Sequence, residues 1–169
     1  MIGENVTLED MLNWREERVH IQNIFLSHYH CPVISFCMNI PGPVKTNTDI
    51  LMAFTSGKEY LLDELSVLPA RVLNHMEIHK KTGDEFILSV DYPARKIKEL
   101  TTRIEETHTL GRLFDMDVID TNGQKLSRNT CRKCIICGRQ AQECARSRRH
   151  SIAEMQQSIQ NDMTSFFHL

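Results

Sequence analysis

Apolar and polar residues alternate twice in the middle of the chain. Val72, Met76 and Ile78 alternate with His75, Glu77 and His79, and Phe86, Leu88 and Val90 alternate with Glu85, Ser89 and Asp91. A period of two is that of a half-buried strand. Lys80-Lys81-Thr82-Gly83-Asp84 supplies turn chemistry between the runs, so the pattern predicts a hairpin with strands over 72–80 and 85–91. An earlier strand over 32–40, rich in Val, Ile and Phe, stops at the breaker Pro41-Gly42-Pro43. A helix over 48–66 follows, capped by Thr46 or Asn47, with Ile50, Leu51, Phe54, Leu61 and Leu65 as its buried face. Pro93 opens a second helix, 93–107, with Ile97, Leu100 and Ile104 inward, and Arg112 to Ile119 reads as a last strand.

That order, βαββαβ over 31–120, is the split βαβ or ferredoxin-like motif, an α+β core with a four-stranded antiparallel sheet. Right-handed crossovers place both helices on one face of the sheet. Residues 1–30 form an N-terminal helix with a capping box, Thr7-x-x-Asp10, and apolar positions at Leu8, Met11, Leu12 and Val19. Residues 121–169 form a Cys/Arg-rich segment leading to a C-terminal helix, which Ser151-x-x-Glu154 caps and which turns Ile152, Met155, Ile159 and Phe166 inward. At 169 residues without repeats or low-complexity linkers, the chain reads as a single domain.

Charge sharpens this picture. The net charge is only -2, yet Lys125 to Arg149 holds eight Lys or Arg against one Glu, so one region seeks anions. The N-terminal stretch carries acids where an export signal carries bases, and no apolar run is long enough to span a bilayer. The expectation is a cytoplasmic protein, without membrane contact, whose six cysteines are reduced thiols or metal ligands.

Three clusters could carry chemistry. On the last strand Phe114, Met116 and Val118 point one way and Asp115 and Asp117 the other, the carboxylates ~7 Å apart by strand rise. A pair so spaced can hold Mg²⁺ against phosphoryl oxygens, or can belong to an exposed edge strand. Lys45 sits in a Gly turn before a helix N-terminus, where backbone N–H groups favour phosphate. Arg15 and Arg18 fall on or beside the N-terminal helix's apolar stripe, either snorkelling from its edge or lining a pocket. The tail carries Cys131-x2-Cys134-x2-Cys137-x6-Cys144 with His150 beyond, which suits structural Zn²⁺, packed free thiols or Fe–S ligation. Arg146, Arg148 and Arg149 can fork onto phosphate oxygens or form a solvated run.

These pieces resemble one family over nearly the whole chain. They are Leu12-Asn-Trp-Arg15-Glu-Glu-Arg18, Pro41-Gly-Pro-Val-Lys45, His108-Thr-Leu-Gly-Arg112-Leu-Phe-Asp115-Met-Asp117-Val118, Leu126-Ser-Arg128, and Arg132-Lys-Cys134-Ile-Ile-Cys137 followed by Ala141, Cys144, Arg146 and His150. The family is the apo-citrate lyase phosphoribosyl-dephospho-CoA transferases, or citrate lyase holo-acyl-carrier-protein synthases. The resemblance implies a nucleotidyl-type transferase. A serine of the acyl-carrier (γ) subunit attacks 2′-(5″-triphosphoribosyl)-3′-dephospho-CoA, and pyrophosphate leaves.

With that chemistry, Asp115 and Asp117 would hold Mg²⁺ and Arg112 would act beside them. Lys45, Arg128, Arg132, Arg146 and Arg149 would hold phosphates, with Arg15 and Arg18 as further candidates. A third carboxylate is not identified, Glu77 and Asp91 being candidates by strand position alone. Cys131 is extra to the family pattern, which leaves Cys134, Cys137, Cys144 and His150 as a zinc set. The rival reading is a non-catalytic, zinc-stapled basic module that grips an acidic protein or nucleic acid. The absence of aromatics among the tail's bases argues against nucleic acid.

Overall fold

In the computed structural model, which describes residues 1–168, ten segments of regular structure form. The order is α1 (Leu8–Tyr29), β1 (Val33–Met38), α2 (Thr48–Ser66), β2 (Arg71–Lys80), β3 (Gly83–Asp91), α3 (Ala94–Thr107), a 3₁₀ turn (Gly111–Leu113), β4 (Phe114–Ile119), α4 (Ala141–Arg146) and α5 (Ile152–Phe167). The four strands make one sheet in the order β2-β3-β1-β4, each neighbouring pair antiparallel. Both capping boxes form, at Thr7/Asp10 and Ser151/Glu154, and Asn47 rather than Thr46 caps α2. No helix among the described residues is long and apolar enough to cross a membrane.

The two faces of the sheet bury different things. One face presents Ile34, Phe36, Phe86, Leu88, Phe114 and Met116 to α2 and α3, and Ile159 and Met163 of α5 close the same cluster. The other presents Val33, Ile87 and Ile119 to Phe25 of α1. Alternation thus holds through β1, β3 and β4. In β2 a bulge between Val72 and Asn74 shifts the parity, so Val72 joins the helix side and Ile78 the α1 side.

Three helical faces differ from their predicted stripes. On α1, Leu8, Leu12 and Val19 are exposed, and the inward positions are Trp14, Arg18, Ile21 and Phe25. The helix is rotated because Arg18 finds a buried acid on the sheet, a partner that an apolar count cannot see. On α2, Leu51 is exposed and Ala53 and Gly57 are buried in its stead. On α5, Ile152 is exposed and Met163 takes the inward role.

Gly57 explains how closely α2 approaches the sheet. A Cβ there would lie 2.7 Å from the Phe114 ring and 2.8 Å from Phe36. Both rings are fully buried and packed edge to face, so neither can swing away. Gly57→Val is therefore expected to destabilise the fold by about 1–3 kcal/mol through overpacking. A urea unfolding midpoint at or above the parent's would show that α2 does not rest on this contact.

Candidate functional site

Asp115 and Asp117 lie on the face of edge strand β4 away from α2 and α3, half-buried, while Phe114, Met116 and Val118 are wholly buried beneath them. The segment after β4 returns along the strand, with Ile119 bridging Lys125 and the Leu126 N–H bonded to the Val118 carbonyl. This return builds a groove of about 700 Å³ over the aspartates, to which Lys98, Lys125, Arg128 and Arg132 all contribute. Lys125 pairs with Asp117, and the Arg132 guanidinium lies 3.5 Å from Asp115 and also donates to the Phe114 carbonyl. Lys98 donates to the Met116 carbonyl at 3.1 Å, and burial lowers its pKa although Glu105 and Asp117 hold its charge in place. Four cations around three carboxylates, Glu105 joining the two aspartates, leave the groove with an excess of one positive charge, which suits a polyanion.

Arg128 and Arg132 are held by a residue that the sequence reading did not single out. Glu105, on α3, is 4% exposed; it accepts the Met116 N–H at 2.7 Å and pairs with Arg128 at 2.9 Å and Arg132 at 3.6 Å. Burial pushes its carboxyl above the usual range, and Arg132, the Met116 amide and Arg128 pull it back. The signal was present: Thr101 and Glu105 follow Ile97 at i+4 and i+8, on the buried stripe of α3.

A second missed acid is Glu85. Register places it beside Cys37, whose other neighbour is Asp115, so Glu85 and the aspartates share one face. It is 1% exposed, pairs with Arg18 at 2.8 Å, and accepts from the Ser35 hydroxyl at 2.6 Å, which in turn accepts from Gln22 at 2.8 Å. The third carboxylate of this face is therefore Glu85. Neither sequence candidate lies beside it: Glu77 turns to Lys58 of α2 at 2.7 Å, and Asp91 pairs with Arg71 at the far end of β3.

Burial raises the pKa of Glu85 from 4.5 to about 7, against the pull of Arg18 and Ser35 and with a further push from Asp117 and Asp115. The folded chain thus binds this proton more tightly than the unfolded chain. The contribution of Glu85 is most favourable below about 4.5 and declines as pH rises through about 7, by an amount on the order of 3 kcal/mol. Glu85→Gln should flatten the fall in stability between about pH 5 and pH 8, whatever constant cost the unpaired Arg18 adds. Parallel stability curves for parent and variant would show that Glu85 does not titrate in this window.

The remaining sequence candidates divide. Lys45 donates to the Ile40 carbonyl at 2.6 Å and lines a cavity of about 200 Å³ with Arg18, Trp14, Cys37 and Asp115, so it shares a cavity with one of the two aspartates, apart from the groove. Burial lowers its pKa. Arg15 does not join it; with α1 rotated, it faces outward beside Leu12, Glu16 and Val19. Arg112 is half-buried and lines a separate, largely apolar cavity of about 750 Å³ with Cys134, Ile135, Arg148 and Met155. Burial and the adjacent Arg132 and Arg128 charges lower its pKa. Arg146 and Arg149 are exposed and line neither cavity.

The thiols of Cys134, Cys137 and Cys144 and a ring nitrogen of His150 all lie within 4.8 Å of one another, a set that could hold a metal ion. Cys131 stands outside it, exposed on the groove wall, where Gln140 donates to its sulfur at 3.3 Å. The reversal at Gly138 brings Cys134 and Cys137 together, Cys134 buried and Cys137 exposed, and leaves Cys131 in the irregular segment before them.

Comparison with known proteins adds the remaining observation. The family model described as apo-citrate lyase phosphoribosyl-dephospho-CoA transferase matches residues 6–166. A Vibrio cholerae protein named as a probable member is 34% identical over 161 residues, 92% of this chain and 90% of that protein. A Streptococcus pyogenes serotype M18 protein so named is 35% identical over 173 aligned positions, covering 98% and 89%. The Citrobacter koseri protein named as the transferase is 32% identical, covering 89% and 84%.

Proposed function

The chain belongs to the apo-citrate lyase phosphoribosyl-dephospho-CoA transferase family, and on that premise we propose which group it moves and where. It transfers the phosphoribosyl-dephospho-CoA unit of 2′-(5″-triphosphoribosyl)-3′-dephospho-CoA to a serine of the acyl-carrier (γ) subunit of citrate lyase. The serine oxygen bonds to the phosphorus next to the ribose. The bond from that phosphorus to the bridging oxygen of the next phosphate breaks, pyrophosphate takes the electron pair, and the serine proton passes to solvent.

The observation that carries this reading is the aspartate pair on the open sheet face, within a groove walled by Lys98, Lys125, Arg128 and Arg132. These four cations would neutralise and align a triphosphate, so the protein's work is positioning and charge stabilisation with no covalent step of its own. Asp115 and Asp117 fit Mg²⁺: both are partly exposed carboxylates on one strand face, beside the buried Glu85. When bound there, the ion would draw charge from the phosphoryl oxygens. Lys45, which shares a cavity with Asp115, would meet the same phosphates from there, and Arg146 and Arg149, being exposed, would meet the acidic carrier rather than the nucleotide.

The strand order β2-β3-β1-β4 and the βαββαβ sequence support a split βαβ core, and the packing of α5 into the main cluster supports one domain. We read the protein as cytoplasmic, as citrate lyase maturation requires no membrane. The test is to mix the chain with apo carrier subunit, the triphosphoribosyl precursor and Mg²⁺. The carrier should gain the mass of one prosthetic group, with equal pyrophosphate released, and a chelator should stop both. An unmodified carrier would sink the reading.

A further inference from the structure

We infer that Cys134, Cys137, Cys144 and His150 form a closed structural zinc site, and that its occupancy holds the tail wall of the groove in place. For Zn–S near 2.3 Å and Zn–N near 2.0–2.1 Å, tetrahedral ligation puts sulfurs about 3.8 Å apart and sulfur from nitrogen about 3.5 Å. Cys137 and Cys144 sulfurs lie 3.5 Å apart, and His150 Nε2 lies 3.3 Å from the Cys137 sulfur. All four donors fall within 4.8 Å. Their convergence on one point, with every cysteine free, is the arrangement of a single ion and not of disulfide pairs.

The local backbone is built for thiolates. Gly138 takes a φ of 69° that returns the chain immediately after Cys137, and its N–H closes the turn on the Cys134 carbonyl at 3.0 Å. Cys144 comes from α4 and His150 from the residue before the Ser151 cap of α5, so one ion would join three separate pieces of chain.

A second, independent observation points the same way. Between Lys125 and Ser151 only Cys134 and Cys144 are buried apolar side chains, with Leu126 and Ile135 partly buried against the main cluster, so this stretch has no hydrophobic core of its own. A segment so poor in apolar burial cannot offset the entropy of ordering its backbone without another tie. A zinc–thiolate centre supplies that tie. Three thiolates and one neutral imidazole in a closed tetrahedron, with no open position, are the donor set of structural zinc, and a single-ion volume excludes a multi-iron cluster.

The link to the groove rests on the proposed function; the metal site does not. Arg132, two residues before Cys134, reaches Asp115 and Glu105, and its carbonyl accepts the Ala141 N–H at 2.8 Å across the knuckle. Losing the ion would free Arg132 and the Cys131–Ala145 wall.

Metal analysis of the reduced full-length chain should find about one zinc per chain. Cobalt exchange should give the visible absorption of a tetrahedral ion with thiolate charge transfer. Cys137→Ser and His150→Ala should each lower retained zinc at least about tenfold, while Cys131→Ser keeps it. Trypsin with a zinc chelator should then cut within 127–150 before it cuts the sheet core. Zinc-incubated parent protein that binds no stoichiometric metal, or equal loss in Cys131→Ser and Cys137→Ser, would overturn the assignment. Stoichiometric zinc in a chain that modifies no carrier would instead leave the site standing and remove the proposed function.

Discussion

Asp115→Asn and Asp117→Asn are each expected to lower prosthetic-group transfer by about 10²–10³-fold or more, since each removes a charge aimed at the metal and the phosphates where negative charge develops. Packing should be spared. Both side chains are partly exposed, Asp115 more than Asp117, whereas Phe114, Met116 and Val118 of the same strand do the burying. Asparagine keeps the volume and relieves like-charge repulsion on a face that also carries Glu85, so unfolding midpoints should stay near the parent's. The Mg²⁺ dependence of any residual activity separates ligation from a structural role. A true ligand shifts the metal concentration needed for half-maximal rate, whereas a mere anchor for Lys125 or Arg132 leaves it unchanged. Two variants with near-parental rate and unaltered metal response would remove the pair from the site.

Why the aspartates were legible and their surroundings were not comes down to the range over which each signal acts. A strand's side-chain period is a local, near-rigid rule, so Phe114-Asp115-Met116-Asp117-Val118 shows its two faces without any knowledge of partners. The hairpin, the caps at Thr7 and Ser151, and the helix after Pro93 follow from equally local chemistry. Glu85 and Glu105 are different. Each is a charge on a face that turns out to be covered, and each is tolerable there only because a guanidinium 67 or fewer residues away in sequence arrives to pair with it. Apolar counting treats such an acid as solvent-facing, and on α1 the same assumption turned the helix the wrong way about Arg18. A consistent spacing of Trp14, Arg18, Ile21 and Phe25 was available at i, i+4, i+7 and i+11, and it becomes visible only if one cation is admitted to the buried stripe.

Glu105→Ala should be the most damaging single change to the groove, lowering stability by about 3–5 kcal/mol, the range seen when one partner of a buried ion pair is removed. Three costs coincide at this residue. The Met116 N–H, now accepted at 2.7 Å, would be left buried without an acceptor on an edge strand. Arg128 and Arg132, whose guanidiniums are about four-fifths buried, would lose their shared counter-charge. Arg112 already has its charge disfavoured by both neighbours and would lose Glu105, which favours it. Glu105→Gln separates these effects, because its amide oxygen can still accept from Met116 while the charge is gone. It should retain part of the stability yet lose nucleotide affinity in a salt-sensitive way, as Arg128 turns away toward Glu106 or solvent and Arg132 closes onto Asp115. Urea midpoints for both variants, with nucleotide binding at low and high salt, check the argument. If Glu105→Ala unfolds at the parent's midpoint and binds the nucleotide equally well, the arginine wall is held by some other group and Glu105 is a bystander.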